Sequence, residues 1–296
     1  MFPGSFDYYR ASTIEESIAL LEEHADVDAE ILAGGHSLLP TMKSGLASPD
    51  VIIDIGGIEG LDGIEIGDET TRIGATAKYV DALDTSGLAE RQPELYDALR
   101  VLGDRQVRNA GTIGGNLAHA DPASDLPAVT VSADATMHVL GPDGERTVPA
   151  EDFFITMYTT DLSERDLLTA IEFPNLGPQD TAAYVKKSSP SSGYAMIGVA
   201  VRIETEDGAI AGARVAANGA FDHPRRLPGV EEYLAGTSLD EVSASDARAV
   251  ATEGIDDWEY LEDIQVSGEF RAQLLEVFTA RALEEALDRV AAPASA

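Results

Sequence analysis

Cysteine is absent from this sequence of 296 residues. The absence excludes disulfide bonds, a cysteine-ligated iron–sulfur cluster, a thiolate nucleophile and a cysteinyl link to a cofactor within the chain. If the activity of this protein passes electrons through an iron–sulfur centre, another polypeptide must therefore hold that centre.

Long apolar runs are missing as well. No segment approaches the roughly 20 consecutive apolar residues that a membrane-spanning helix needs, although 44% of the residues are hydrophobic. The first five residues, MFPGS, are not a basic stretch followed by an apolar run, so they do not resemble a signal peptide. We predict a cytoplasmic protein.

Positive charge is scarce. The chain has 53 Asp and Glu against 20 Lys and Arg, a net charge of −33. The lysines are Lys43, Lys78, Lys186 and Lys187. This balance argues against nucleic-acid binding, which needs basic patches. The acidic residues are spread along the whole chain, which favours a surface adapted to high salt over an acidic face for a basic partner.

The first half of the chain reads as alternating short strands and helices. Its opening is βαβ-like, with a helix capped by Ser12 or Thr13 and two buried strands. Hairpins are predicted near residues 64–73 and 137–148, each across a polar turn. The predicted helices lie at 14–23, 37–43, 76–84, 94–102 and 125–133, and the predicted strands outside the hairpins at 31–33, 51–55 and 167–173.

Residues 175–180 (NLGPQD) form the predicted domain boundary. Strands near 182–188, 196–204 and 210–217 are followed by helices near 228–235, 244–252 and 269–291, an order typical of a separate α+β domain. The predicted first domain is 1–176, with subdomains at about 1–57 and 58–176. The predicted second domain is 180–292.

Two glycine-rich loops are the motifs most suited to chemistry. They are residues 33–37 (AGGHS) and 111–116 (GTIGGN). Glycine lets backbone amides approach phosphate oxygens, and two such loops suit a pyrophosphate better than one phosphate. Neither loop matches GxGxxG or GxxxxGK[ST], so a Rossmann or nucleoside-triphosphate site is not indicated. Each Gly-Gly pair is also compatible with an ordinary tight turn.

The surroundings of these loops resemble a known family. Residues 33–40 (AGGHSLLP) and 108–127 (RNAGTIGGNLAHADPASDLP) are similar to the two FAD loops of the middle subunits of molybdenum hydroxylases, the group of carbon monoxide dehydrogenase and xanthine dehydrogenase. Weaker similarity at 166–171, 192–195 and 267–271 extends the resemblance over most of the chain.

This resemblance implies an α+β fold. A two-subdomain FAD-binding fold of the vanillyl-alcohol oxidase (PCMH) type would precede a C-terminal α+β domain. It also implies non-covalent FAD, with the amides of residues 34–37 on one side of the pyrophosphate and residues 112–116 on the other. The implied cofactor contacts are Ala33, Gly34, Gly35, His36, Ser37, Leu38, Thr112, Gly114, Gly115, Asn116, His119, Asp125, Leu168, Lys186 and Tyr194.

Three of these contacts have alternatives. Asp125 could bind ribityl or ribose hydroxyls, and it could also act as the N-cap of the following helix. Lys186 or Lys187 could place positive charge near the pyrimidine edge of the flavin. Tyr194 could lie beside the isoalloxazine ring, or it could be a core tyrosine in a strand.

The two histidines also need separate interpretation. His36 could be a covalent attachment point, as in related oxidases, but the family pattern favours a role for its backbone alone. His119 and Asp121 are interpreted as loop residues near the flavin, because no third metal ligand follows at a convincing spacing.

The resemblance implies an oxidoreductase, the electron-transfer subunit of a larger complex. A large subunit with molybdenum would oxidise a substrate, a small 2Fe–2S subunit would pass electrons to FAD, and the assembly would be a dimer of heterotrimers. The alternatives are a stand-alone flavin oxidase of the vanillyl-alcohol oxidase type and a non-catalytic scaffold. Neither a Ser–His–Asp arrangement nor a pair of catalytic carboxylates is evident. The substrate and the electron acceptor stay open.

The acidic composition yields a testable prediction about salt. Screening shortens the reach of charge repulsion from about 30 Å at 0.01 M to about 3 Å at 1 M ionic strength, so lowering the salt should lower the free energy of unfolding. Urea unfolding at molar and at dilute salt measures the effect, and an uncharged osmolyte in dilute buffer is the control. Stability that does not change with salt would reject the high-salt interpretation.

Overall fold

The computed structural model describes residues 2–291. Residue 292, the predicted end of the second domain, lies outside the described residues. Of the helices in this part of the chain, none is long and apolar enough to cross a membrane.

The first unit is a small parallel sheet with two helices. Its elements are β1 (Asp7–Arg10), α1 (Ile14–Glu23), β2 (Ala29–Leu32), α2 (Leu38–Ser44) and β3 (Val51–Asp54). The strands pair in the order β1-β3-β2. The Thr13 hydroxyl accepts a hydrogen bond from the Glu16 amide and caps α1. The βαβ prediction is confirmed, and β1 is an additional strand that the pattern DYYR, without an apolar run, does not predict.

The second unit is built on an antiparallel sheet. Its strands are β4 (Ile64–Ile66), β5 (Thr70–Gly74), β6 (Thr136–Gly141), β7 (Gly144–Pro149), β8 (Phe154–Thr156), β9 (Thr159–Thr160) and β10 (Leu167–Pro174). Its helices are α3 (Tyr79–Asp84), α4 (Leu88–Arg91), α5 (Pro93–Val101), α6 (Arg105–Arg108), α7 (Ile113–His119), α8 (Leu126–Ser132) and α9 (Ala150–Phe153). Five strands pair in the order β4-β5-β10-β6-β7, and β8 and β9 form a separate ribbon. Both predicted hairpins are confirmed.

The third unit is a four-stranded antiparallel sheet with helices on one face. Its elements are β11 (Thr181–Ser188), β12 (Ala195–Glu206), β13 (Ala209–Asn218), β14 (Arg225–Arg226), α10 (Pro228–Leu234), α11 (Ala244–Val250), α12 (Gly268–Ala291) and two short 3-10 helices at Leu239–Glu241 and Asp257–Glu259. The strands pair in sequence order. The three longer strands and all three α-helices were predictable from apolar periodicity and are confirmed within a few residues.

The two faces of the C-terminal sheet have different partners. Val199 and Val201 of β12 belong to the core formed with α12, whereas Ala200 belongs to the core of the second unit. Successive residues of a strand point to opposite faces, so Ala200 and Arg202 in the middle of β12 pack against the second unit. The C-terminal sheet is therefore buried on both faces.

An ion pair is buried in this contact between the sheet and the second unit. The Arg202 Nη1 atom donates to Glu94 Oε1 at 2.7 Å, and its Nη2 donates to the Pro174 carbonyl at 2.8 Å. The two charged side chains are 4% and 0% exposed. Buried charges need partners of this kind to offset the cost of removing them from water.

We predict that Arg202→Ala lowers the free energy of unfolding by about 3–5 kcal/mol, because Glu94 is left buried without its partner. The matched control is Arg214→Ala on β13, whose partly exposed ion pair with Asp134 contributes about 1 kcal/mol or less. Urea unfolding of both variants measures the difference. Equal losses would show that burial of the pair has no special role.

Candidate cofactor-binding site

A cavity of about 710 Å³ lies between the first unit and the second. Its walls are the loop between β2 and α2, the helix α7, and the segment 158–168. The predicted cofactor contacts that line it are Ala33, Gly34, Gly35, His36, Ser37, Leu38, Thr112, Gly114, Gly115, Asn116, His119 and Leu168. The structure thus brings both glycine loops to one cavity.

The two loops are in direct backbone contact. A Cβ atom placed on Gly34 would lie 2.8 Å from the Cα atom of Gly111 and would also collide with the carbonyl oxygen of Ala110. Gly35 has a φ of +71°, a conformation that residues with a side chain rarely adopt. Glycine is required at both positions, at the first for close approach and at the second for the turn.

The first loop presents unpaired donors to the cavity. Among the described residues, no backbone carbonyl accepts from the amides of residues 34–37, although the later amides of Leu39 and Thr41 donate to Gly35 and Ser37. Ser37 occupies the N-cap position of α2 without a side-chain capping bond. Four consecutive free amides form a concavity suited to an anion.

The glycines of the second loop, residues 111–116, serve packing more than ligand binding. The amide of Gly114 donates to the Ala75 carbonyl at 2.9 Å, and the amide of Gly115 donates to the Thr112 hydroxyl at 3.2 Å. A Cβ on Gly114 would lie 2.5 Å from the Cβ of Ala75. Gly114 therefore allows α7 to pack closely on the end of β5, and Gly115 leaves room for the Thr112 hydroxyl. The Thr112 carbonyl accepts from the Asn116 amide at 3.1 Å, so the polar groups left for a ligand are the side chain of Asn116 and the backbone amide of Thr112.

Tyr79 is a lining residue that sequence reasoning missed. A Cβ on Gly111 would lie 2.5 Å from its ring, so the tyrosine fixes the back of the second loop. Burial raises the pKa of the Tyr79 phenol, and a hydrogen bond to Asn116 opposes this rise. Asn116 Oδ1 also accepts from the Ser124 hydroxyl at 2.6 Å. The Asn116 side chain is thus held by neighbours on two sides.

The third wall consists of Tyr158, β9 and the segment 162–168 that leads into β10. Only Leu168 of this wall was predicted. Tyr158, which has a φ of +56°, packs its ring against His119 with centroids 5.2 Å apart. The remaining lining residues here, such as Leu162, carry no sequence signal, because they belong to the site only through a cavity shared with a loop more than 120 residues earlier in the chain.

His119 and Asp121 correct one expectation. His119 is the last residue of α7 and is not in a loop, whereas Asp121 is in the loop that follows. Burial lowers the pKa of His119, and the negative charge of Asp121 opposes the shift. Within residues 2–291 there is no group of three or more His, Asp or Glu arranged to hold a metal ion.

Asp125 and Lys186 do not line the cavity and instead bind each other. Lys186 Nζ donates to Asp125 Oδ2 at 2.7 Å, and the Tyr184 hydroxyl donates to Oδ1 at 2.6 Å. The two charged side chains are 3% and 4% exposed. Burial raises the pKa of Asp125, and Lys186 opposes the rise. Asp125 occupies the N-cap position of α8, but the N-cap hypothesis is wrong for its side chain, which makes no capping bond because these partners engage it.

Tyr194 lies in a bend just before β12 and is 45% exposed, so the interpretation as a core tyrosine in a strand is wrong. It does not line the cavity but lies near it. Burial raises the pKa of its phenol, and the charges of Asp121 and Tyr158 add to the rise. Lys187, the other candidate lysine, is exposed.

Comparisons with known proteins agree with this architecture. Residues 4–176 match the family described as FAD binding domain in molybdopterin dehydrogenase, and residues 182–286 match the CO dehydrogenase flavoprotein C-terminal domain. The chain is 34% identical to the glyceraldehyde dehydrogenase medium chain of Sulfolobus acidocaldarius, covering 96% of this chain and 99% of the relative. It is 33% identical to the carbon monoxide dehydrogenase medium chain of Hydrogenophaga pseudoflava, covering 98% and 100%.

A solved structure shows the same fold. It is carbon monoxide dehydrogenase from Hydrogenophaga pseudoflava lacking the Mo-pyranopterin moiety of the molybdenum cofactor, and one of its chains superposes with a TM-score of 0.92. The superposition covers 98% of this chain and 99% of that chain at 33% identity.

The buried pair of Asp125 and Lys186 predicts a pH-dependent variant. In Lys186→Met the pKa of Asp125 should rise further above its value in the unfolded chain, because the opposing positive charge is gone. A carboxyl group whose pKa is higher in the folded protein than in the unfolded chain destabilises the fold. The free energy of unfolding then decreases as the pH rises from the unfolded-state pKa to the folded-state pKa. The free energy of unfolding of Lys186→Met, relative to the original protein, should therefore fall as the pH rises above the unfolded-state pKa of an aspartate, about 4.

Denaturant unfolding at several pH values measures this difference. Lys187→Met is the matched control, because the neighbouring lysine is exposed and should give little loss at any pH. A loss that is the same at every pH would show that Asp125 does not carry the effect.

Proposed function

Because the chain belongs to the family of FAD-binding medium subunits of molybdenum hydroxylases, we propose that it takes electrons from a 2Fe–2S partner and passes them to an external acceptor. It is an oxidoreductase subunit with FAD as its cofactor. The observation that carries the proposal is the cavity of about 710 Å³ in which two glycine loops meet and one of them offers free amides.

We assign the pyrophosphate of FAD to the first loop. The free amides of Gly34, Gly35, His36 and Ser37 would donate to its oxygens, and Thr112 and Asn116 would bind from the opposite side. Glycine at position 34 keeps the two loops close enough to bind the same pyrophosphate group. When bound, FAD accepts electrons singly and delivers them to the acceptor, and the surrounding protein sets its potential.

His36 contributes through its backbone in this proposal, so FAD is bound non-covalently. Acid precipitation tests the point, since the yellow colour should leave the protein pellet. Colour that stays in the pellet would indicate a covalent link and would favour the oxidase alternative.

Asp125, Lys186 and Tyr194 are proposed to act at the flavin-ring end. Tyr194 and Asp125 lie close enough to Tyr79, which lines the cavity, for their charges to raise the pKa of its phenol. The buried Lys186–Asp125 pair would orient Asn116 through the neighbouring Ser124. Tyr194, being exposed beside Tyr158, could close over the ring from outside.

The partners are proposed from the absence of cysteine and from the relatives, which are medium chains. A small subunit would hold the 2Fe–2S centres and a large subunit the molybdenum, in a dimer of heterotrimers in the cytoplasm. Carbon monoxide or an aldehyde is favoured over a purine as substrate, because the medium chains of glyceraldehyde dehydrogenase and carbon monoxide dehydrogenase are more similar to this chain than the FAD-binding subunit of xanthine dehydrogenase is. The division into domains 1–176 and 180–292 is likewise proposed, with support from the two family matches.

Co-purification tests the assembly. The tagged chain, expressed with its neighbouring genes, should yield a complex with a flavin spectrum, one partner with a 2Fe–2S signal and one with molybdenum. A monomer that oxidises an organic substrate unaided would favour the stand-alone oxidase, and a colourless complex that FAD cannot reconstitute would favour the scaffold.

We predict that Gly34→Ala weakens FAD binding by at least about tenfold, equivalent to about 1.4 kcal/mol. The new methyl group would collide with Ala110 and Gly111 and would separate the two loops. Gly63→Ala is the control, because a Cβ there would have its nearest neighbour, the carbonyl oxygen of Gly60, 3.9 Å away. FAD titration of both apo-complexes measures the dissociation constants, and equal affinity in the two variants would contradict the assigned cradle.

A further inference from the structure

The wall of the cavity formed by residues 162–168 needs support from outside the cavity. All seven of these residues line the cavity, and the first five precede β10 without regular secondary structure. A segment of this kind loses conformational entropy when it is ordered. Some interaction must hold it in place against that cost.

Arg146 of β7 supplies such an interaction. Its Nη2 donates to the Asp161 carbonyl at 2.7 Å and to Asp166 Oδ2 at 3.0 Å, and its Nη1 forms an ion pair with the Asp161 carboxylate. Asp161 and Asp166 flank the segment 162–165, so one guanidinium joins its two ends. Arg146 itself does not line the cavity.

Asp166 is fixed from further sides. Its Oδ2 accepts from the Ser163 amide at 2.9 Å, and its own amide donates to the Ser163 carbonyl at 3.0 Å. Its carboxylate also lies against Gly141, where a Cβ would leave no room for it. The Asp166 carboxylate thus joins Arg146 to the turn at Ser163, so the guanidinium holds the segment and not a single side chain.

The electrostatics of Asp166 agree with this geometry. Burial raises its pKa, but hydrogen bonds from Ser163 and Arg146 together lower it by more, so the pKa of Asp166 lies below its usual value. The side chain of Asp166 is only 10% exposed, compared with 38% for Arg146. Arginine suits this role because its planar group donates in two directions at once.

We propose that Arg146 is a positioning residue that holds the segment 162–166 closed over the cofactor and thereby slows the release of FAD. This inference rests on the proposed function, because it requires that the cavity holds FAD.

The test is the rate of FAD release from the purified complex, followed by the rise in flavin fluorescence after dilution. Arg146→Gln should release FAD roughly three- to tenfold faster than the original protein. Arg146→Lys should restore part of the slow release, because its point charge can still pair with Asp166. Arg214→Gln is the matched control, an arginine of similar exposure paired with two acidic residues, and it should leave the rate unchanged.

A double-mutant cycle separates positioning from general loosening. Asp166→Asn should also speed release, and the variant carrying both Arg146→Gln and Asp166→Asn should be no faster than the faster single variant, because both changes remove one interaction. The pH profile is a second readout. Release from the original complex should accelerate only as the pH falls to the lowered pKa of Asp166, and in Arg146→Gln this acceleration should begin at a higher pH.

The outcomes distinguish this inference from the proposed function. An original complex without FAD would overturn the proposed function and this inference with it. An original complex that holds FAD, together with an Arg146→Gln variant that releases it at the original rate, would overturn only the inference. Additive effects of the two substitutions, or equal acceleration in Arg214→Gln, would likewise overturn it.

Discussion

The structure of the site depends on one close contact, the backbone of Gly34 against that of Ala110 and Gly111. The two loops come from different units, one from a parallel sheet and one from the helix-rich part of the second unit. Their contact therefore sets both the width of the cavity and the packing of the units. Tyr79 packs against Gly111, and the absence of a side chain at Gly114 lets α7 contact Ala75. These two contacts keep the second loop close to the first.

The C-terminal sheet extends this constraint to the rest of the chain. Its face towards the second unit carries two buried cations, Lys186 and Arg202, each paired with a carboxylate of the first 176 residues. Pairs of this kind need not add net stability, since removing charges from water is costly. They do make other arrangements of the sheet unfavourable, because any shift would leave a buried charge without its partner. We therefore interpret them as determinants of how the sheet docks on the second unit.

Much of the fold was predictable because it rests on local periodicity. The stripe of α12, both hairpins and the strand β3 follow from patterns within one element, and the structure confirms them. The glycine loops were identified differently, from the resemblance of their surroundings to a known family. What could not be predicted depends on distant partners. Asp125 has the local signal of an N-cap, yet Tyr184 and Lys186, about 60 residues later, engage its carboxylate. The cavity wall at 162–166 and Tyr79 are likewise defined by contacts that no short window of sequence contains.

The proposed cradle of backbone amides suits the acidic charge of the chain. FAD carries a pyrophosphate, and a protein with a net charge of −33 would repel it at long range. Arg165 is the only lysine or arginine among the described residues that line the cavity. In the proposed site, the four free amides of residues 34–37 would bind the pyrophosphate through fixed dipoles, which neither require a basic side chain nor titrate. Salt screens separated surface charges more than it screens contacts buried from solvent, so high salt would weaken the repulsion while leaving the cradle intact. An acidic surface and an anionic cofactor are thus compatible in one chain.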